Sequence, residues 1–176
     1  MERQQMTWKE KLALSREDAA KIPEMIICFS EEPGADESFI SQIASAFPFV
    51  TEDYLDFLRE TDGAIMFVFV LFGSDKSWTR TIFDETAAWK YLIGDAGLVI
   101  SADAWGNPIV LCNDRRVRLL DFTMEKIQDG LILADSFGSF LSDVLMGDRL
   151  PLLCGGEFPE GYETEWLTHL RRHGWI

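Results

Sequence analysis

The chain has 176 residues, of which 47% are hydrophobic and 26% are charged, and its 30 acidic residues outnumber its 16 Lys and Arg to give a net charge of -14. A chain of this length with 12% aromatic residues can bury a large core without a metal or a disulfide, which excludes a disordered protein. The negative charge argues against direct binding of nucleic acid or of an anionic membrane surface. A basic protein is the partner class that this charge favours.

The capping residues and the apolar spacing in the first third of the chain predict helices. Two capping-box spacings, at residues 7–10 and 15–18, predict two short helical segments near the N-terminus. Apolar residues at helical spacing predict a further helix over 36–47. Thr51 is expected to cap an amphipathic helix over 52–61 whose outer face is acidic.

The middle of the chain changes to β-structure. Residues 65–71 are apolar on both faces and predict one buried central strand. A short helix is expected over 85–92. Three strands, over 98–102, 108–112 and 117–121, are separated by turn-forming residues and predict an antiparallel meander.

Two helices are predicted to close the chain, one over 137–145 after a capping Asp-Ser pair and one over 162–173. The order of elements indicates an α+β fold, in which helices pack on one side of an antiparallel β-meander sheet. No long linker divides the chain, which predicts a single domain over 1–176.

The cysteines and the N-terminus predict a cytoplasmic protein. Three widely spaced cysteines lie among apolar neighbours and are expected to be reduced core residues: Cys28, Cys112 and Cys154. The N-terminus lacks the apolar stretch of a secretory signal. The longest apolar run, residues 64–72, is far shorter than a membrane span.

The sequence around the two histidines predicts neither a metal site nor a catalytic site. His169 and His173 are the only two, and their separation of four residues is a spacing that metal ligands use. The sequence suggests no third ligand, so we expect a solvated basic helix end and no metal site. We also predict no nucleophilic catalysis and no cofactor, and no phosphate-binding glycine motif occurs.

Acidic residues are concentrated in one segment. Between Glu31 and Asp62 nine acidic residues stand against one basic residue, Arg59, and such a one-sided field is typical of a docking surface. The candidate partner-binding carboxylates are those of Asp53, Asp56, Glu60 and Asp62. Their helix already has an apolar stripe, so these carboxylates are expected to have no folding role. A solvated face and the carboxylate pair of a hydrolase such as a glycosidase are the alternatives.

The turn from Asp103 to Asn107 allows two interpretations. Asp, Gly and Asn suit a hairpin turn for backbone reasons alone, with Trp105 folded onto the edge of the sheet. Alternatively, Trp105 is an exposed anchor for a partner, with Asp103 beside it. We retain both residues as candidate partner-binding residues.

Three segments resemble a known family. Residues 47–58, FPFVTEDYLDFL, followed by Thr-Asp-Gly at 61–63, are similar to the "hP-x-x-Y-x-x-F/L-L … N-G-G" opening of the SUKH superfamily. Residues 98–111 resemble its central hairpin, and residues 134–141, ADSFGSFL, resemble its closing S-F-x-x-F-L helix. The chain departs from the pattern at Asp62, where the family has Asn, and at Ala64, where it has a second Gly.

The resemblance covers residues 36–147 and leaves a helical N-terminal extension, 1–35, and a C-terminal loop and helix, 148–176. The superfamily groups fungal Smi/Knr cell-wall synthesis regulators with bacterial immunity proteins. The resemblance therefore implies an α+β fold and a non-enzymatic protein-binding role.

The function that the resemblance favours is an immunity protein that docks on a cognate toxin, often a nuclease. A nuclease presents cationic residues to its substrate, and an inhibitor with a net charge of -14 can be steered onto that surface. A regulatory scaffold for cell-wall or glucan synthesis is the alternative within the family, and a carboxylate-based hydrolase is the alternative outside it.

Overall fold

The computed structural model describes residues 6–22, 27–29, 34–74, 81–156, 158 and 163–176. Within these residues seven strands form one antiparallel sheet, and helices contact it. The strands are β1 (Ile27–Phe29), β2 (Ala64–Met66), β3 (Phe69–Leu71), β4 (Gly97–Ala102), β5 (Pro108–Cys112), β6 (Val117–Leu119) and β7 (Leu131–Ala134). The helices are α1 (Trp8–Ala19), α2 (Glu37–Ala46), α3 (Glu52–Glu60), α4 (Ile82–Ala88), α5 (Lys90–Ile93), α6 (Phe137–Ser139) and α7 (Glu165–Arg172). The predicted α+β meander is confirmed.

Every strand pairs with its neighbour in the sequence, so the strand order is β1-β2-β3-β4-β5-β6-β7. All residues of β5 are buried, as are all but the last of β4, so the centre of the sheet is covered on both faces. This burial matches the continuous apolar runs from which these two strands were predicted.

The predicted single strand over residues 65–71 is wrong, because this segment is a hairpin. β2 and β3 pair with each other, with Met66 opposite Phe69, across a two-residue turn. Phe67 occupies the first turn position at φ 59°, the positive value that a type II′ hairpin turn requires there. Its ring is buried and lies 6.3 Å from that of Phe69. Ring burial thus holds a backbone conformation that Gly would ordinarily supply.

The N-terminal prediction is also corrected. Residues 8–19 form one helix, α1, which starts at the predicted capping box of Thr7 and Glu10. Ser15 does not cap a second helix; it lies inside α1 and is buried. Residues 27–29 belong to the stretch expected to be helical, but they form β1 and pair with β2.

The other helices agree with the sequence, with local differences. Asp36 caps α2, and its carboxylate accepts from the Phe39 amide at 2.8 Å. The helix that follows Ser136 is α-helical only over α6 and continues as a π-helix over Phe140–Leu145. The predicted helix over 85–92 starts earlier, at Ile82, and is broken at Trp89 between α4 and α5.

One hydrophobic core joins α1 and α7 to the sheet and to the other helices. Trp8 and Leu12 of α1 and Trp166 of α7 are buried in the same cluster as the sheet. The rings of Tyr54 and Phe137 lie 4.8 Å apart in an edge-to-face arrangement, so two of the segments that carry the family resemblance meet in the core. Among the described residues, no helix combines the length and the apolar composition that crossing a bilayer requires.

The cysteines that the structure describes agree with the sequence expectation. Cys112 is buried and Cys154 is half-buried, and both are free thiols. Burial raises the pKa of the Cys112 thiol to about 11, so it is protonated at neutral pH and unreactive. The side chain of Cys28 lies outside the described part.

The buried ring of Phe140 gives a direct test of this core. Phe140 is fully buried, whereas Phe122 is 78% exposed. We expect Phe140→Ala to lower the free energy of unfolding by about 3–5 kcal/mol because it leaves a cavity. Phe122→Ala, the same substitution at the surface, should change it by less than about 0.5 kcal/mol. Urea denaturation measures both, and equal effects would contradict this fold.

Candidate functional site

The carboxylate of Asp53 connects α3 to α6. It accepts hydrogen bonds from the Tyr54 amide at 3.0 Å and from the Gly138 amide at 2.6 Å, and the Thr51 hydroxyl also donates to it. Gly138 permits this approach, because a Cβ atom there would lie 3.0 Å from Asp53 Oδ2. The expectation that Asp53 has no folding role is therefore wrong.

The next two candidate carboxylates, those of Asp56 and Glu60, connect α3 to α1. Lys9 Nζ donates to Asp56 Oδ2 at 2.7 Å, and Arg59 Nη1 lies 3.1 Å from Asp56 Oδ1. Arg16 lies 3.8 Å from the Glu60 carboxylate and donates to the Glu60 carbonyl at 2.9 Å. The hydrogen bond from Lys9 lowers the pKa of Asp56. α1 thus supplies the basic residues that the acidic segment lacks in the sequence.

The fourth candidate, Asp62, holds the turn between α3 and β2 against the chain that follows β3. Its carboxylate accepts from the Ser74 amide at 2.6 Å and from the Ser74 hydroxyl. A Cβ atom on Gly73 would lie 2.4 Å from Asp62 Oδ1, so only glycine fits there. All four carboxylates of the predicted acidic face therefore have internal partners.

Asp103 and Trp105 have different environments within one turn. Asp103 is buried and accepts from the amides of Trp105 and Asn107 and from the Asn107 side chain, at 2.8–2.9 Å. Trp105 is 67% exposed, so it does not fold onto the sheet edge. Asp103 thus shapes the turn, and the turn presents the indole to solvent.

Trp105 and the acidic face do not form one site. The Trp105 turn lies where β4 ends and β5 begins. Asp62 contacts the chain beyond the end of β3, and Asp53 contacts Gly138 beyond the end of β7. In an antiparallel meander these points lie towards the opposite end of the strands from the Trp105 turn.

The structure instead groups Trp105 with residues that the sequence reasoning missed. The connections β2–β3, β4–β5 and β6–β7 all lie at the same end of the sheet, and each exposes a large apolar side chain. We call this set, with the first residue of β7, the apolar rim: Val68, Trp105, Phe122 and Leu131. Since neighbouring strands are about 4.8 Å apart, the rim extends roughly 20 Å across the sheet.

The longest of these connections is acidic. Residues 120–130 contain three acidic residues and one basic residue, Lys126. Two of the acidic residues, Glu125 and Asp129, are exposed. A sequence signal for this part of the rim exists, because Phe122 is an aromatic residue in the polar segment Asp121–Thr123 at a strand end.

The two histidines form a second cluster, and here the sequence prediction is wrong. His169 is 1% exposed and is not a solvated helix end. Its Nδ1 lies 3.0 Å from Asp18 Oδ2, and its Nε2 lies 3.0 Å from Ser15 Oγ. His173 Nε2 also lies 3.0 Å from Asp18 Oδ2. The spacing that resembled a capping box at residues 15–18 places Ser15 and Asp18 on the face of α1 that meets α7.

Electrostatics at this cluster favour a neutral His169 and an ionised Asp18. Burial lowers the pKa of His169, although the hydrogen bond with Asp18 opposes the shift. The hydrogen bond from His173 lowers the pKa of Asp18. His169 Nδ1–H then donates to Asp18, and its Nε2 accepts from the Ser15 hydroxyl.

A cleft of about 730 Å³ adjoins the cluster, and its lining includes Lys11, Asp143, Arg172, His173 and Trp175. Lys11 is buried and donates to the carbonyls of Ser142 and Met146 at 2.7 and 2.8 Å. Burial lowers the pKa of Lys11. Because two carbonyls engage this ammonium group, it links α1 to the π-helix.

Comparison with known proteins does not assign a family to this chain. No family model and no curated protein matches it.

The role of Asp53 in the fold is testable. Asp53→Ala leaves the Gly138 amide without its acceptor, so we expect the free energy of unfolding to fall by about 1–3 kcal/mol. Asp56→Ala removes only partly exposed ion pairs with Lys9 and Arg59 and should cost less than about 1 kcal/mol. Urea denaturation compares the two variants. If Asp56→Ala were the more destabilising, the assignment of Asp53 as a connector of α3 and α6 would be wrong.

Proposed function

We propose that the chain is a non-enzymatic protein-binding module that binds a basic protein through the apolar rim. The observation that carries the proposal is the exposure of a large apolar side chain in every connection at one end of the sheet. Exposed apolar side chains that occur together mark interaction sites far more often than isolated ones do. Trp and Phe are also enriched at the centres of protein interfaces.

The charge of the chain supports a basic partner. The net charge is -14, and exposed Glu125 and Asp129 lie in the connection that carries Phe122. Complementary charge accelerates association and excludes acidic competitors, while apolar contacts slow dissociation. Asp56 and Glu60 contribute less to the long-range field, because Lys9 and Arg16 pair with them.

The resemblance to the SUKH superfamily supports a more specific form of the proposal, a bacterial immunity protein that neutralises a nuclease toxin. A nuclease carries a cationic surface for its substrate, and an acidic protein docked on it would block access. The scaffold role in cell-wall synthesis is the other form that the resemblance allows. The hydrolase alternative gains no support, because Asp53 is occupied by amide and hydroxyl donors and Asp56 by two basic side chains.

A comparative pull-down tests the proposed surface. The baits are the full chain and its Trp105→Ala/Phe122→Ala variant, both used on native lysate and analysed by mass spectrometry. Because both side chains are exposed, the variant should fold as stably as the wild type. We expect a basic protein that the wild type retains and the variant loses. Equal recovery of the same proteins by both baits would contradict binding through the rim.

The kinetics of binding to the recovered protein separate the two candidate surfaces. We expect Trp105→Ala to raise the dissociation rate by about 10-fold or more, as loss of an aromatic anchor does. Two charge reversals change the net charge equally: Glu125→Lys with Asp129→Lys, and Asp56→Lys with Glu60→Lys. The first pair should lower the association rate more, since the Debye length at physiological salt is about 8 Å.

If the reversal of Asp56 and Glu60 lowered the association rate more than that of Glu125 and Asp129, the interface would lie on α3, where the sequence predicted it. An association rate that changes neither with salt concentration nor with either charge reversal would show that the acidic residues do not steer a partner. Surface plasmon resonance at two or more salt concentrations provides both rates.

A further inference from the structure

The cluster of Asp18, His169 and His173 contains both histidines of the chain. One potential ligand atom of each residue lies within 4.8 Å of the other two. His169 lies in α7 and His173 is the residue that caps its C-terminus. Asp18 comes from α1, 151 residues away from His169. Two imidazoles and one carboxylate are a ligand set that zinc sites use, with a fourth position left to water.

We propose that Asp18, His169 and His173 form a binding site for a divalent transition-metal ion such as Zn²⁺, which would fasten α7 to α1. Asp18 Oδ2 lies 3.0 Å from His169 Nδ1 and 3.0 Å from His173 Nε2. Ligand atoms around a tetrahedral zinc stand about 3.3 Å apart, as bonds of 2.0–2.2 Å require. Two of the three separations are therefore close to those of a zinc site, and all three are at most 4.8 Å.

The surroundings of His169 suit a metal ligand. To bind through Nδ1, the neutral ring must carry its proton on Nε2, which faces Ser15 Oγ at 3.0 Å. A hydroxyl both donates and accepts, so Ser15 can accept from Nε2–H after the ring changes tautomer. Metal-bound histidines usually donate their second N–H to such an acceptor, which fixes the orientation of the ring. Trp166 stacks on the same ring with centroids 5.2 Å apart.

Access to the site lies on the side of His173. The His173 side chain is 22% exposed and lines the cleft, so an ion and its water ligand can enter from solvent. Arg172 Nη1 lies 3.7 Å from Asp18 Oδ2 and competes with a cation for that oxygen. Its side chain is 53% exposed, so it can turn to solvent when the ion binds.

The experiment uses the full chain purified without an affinity tag, treated with chelator and desalted. Isothermal titration with ZnCl₂ should give one site per chain, and MgCl₂ should not bind there, because Mg²⁺ prefers oxygen ligands. His173→Ala should weaken zinc binding at least about 10-fold. Loss of a residue that only hydrogen-bonds a metal ligand already weakens metal binding by about 10-fold or more, and His173 is itself a proposed ligand. Arg172→Ala, the matched control on the adjacent residue, should leave the affinity unchanged or increase it.

Imidazole ¹⁵N NMR of the wild type provides a readout that does not depend on any variant. Since the chain has only two histidines, every imidazole signal reports on this site. Zinc should move the ring proton of His169 from Nδ1 to Nε2 and that of His173 from Nε2 to Nδ1. Imidazole signals unchanged at saturating zinc, or equal zinc affinity of His173→Ala and wild type, would overturn the proposal.

Discussion

The pairing of every strand with its sequence neighbour is the constraint on which the candidate binding surface depends. In such a meander successive connections alternate between the two ends of the sheet. Three connections must therefore lie at the same end: β2–β3, β4–β5 and β6–β7. They lie there although Val68 and Leu131 are 63 positions apart in the chain. The apolar rim is a consequence of this topology. The same alternation keeps the rim away from the contacts of Asp53 and Asp62.

α1 lies outside residues 36–147, the segment that resembles the SUKH superfamily, yet it has a structural role. Its basic residues pair with the acidic face of α3. Lys11 donates to the carbonyl of Ser142 within the π-helix and to that of Met146 just after it. Its Ser15 and Asp18 meet the histidines of α7. Acidic residues that look unsupported in the sequence are thus used to attach α1, while the charge that remains gives the chain its negative field. The acidic residues that pair with α1 therefore serve the fold, and the remaining acidic residues supply the negative field.

The sequence predicted the parts of this fold that local physics controls. α2 and α7 follow from helical periodicity, and β4 to β6 follow from turn residues between apolar runs. The β2–β3 hairpin was missed because Phe67 turns the chain at positive φ without glycine. β1 and β7 were missed because strands of three or four residues carry little signal of their own; β6, equally short, was predicted only from the turn residues that separate it from β5. Asp18 and His169 were not connected because only the packing of α1 on α7 brings them together.

Hydrogen–deuterium exchange on the complex tests most directly whether the end of the sheet binds a basic protein. Backbone amides in the turn 103–107 and in the connection 120–130 should exchange more slowly in the complex than in the free chain. Amides of the exposed side of α3, residues 52–60, should exchange alike in both, because charge steering there needs no contact. Protection confined to α3, with the two connections unchanged, would contradict binding through the apolar rim.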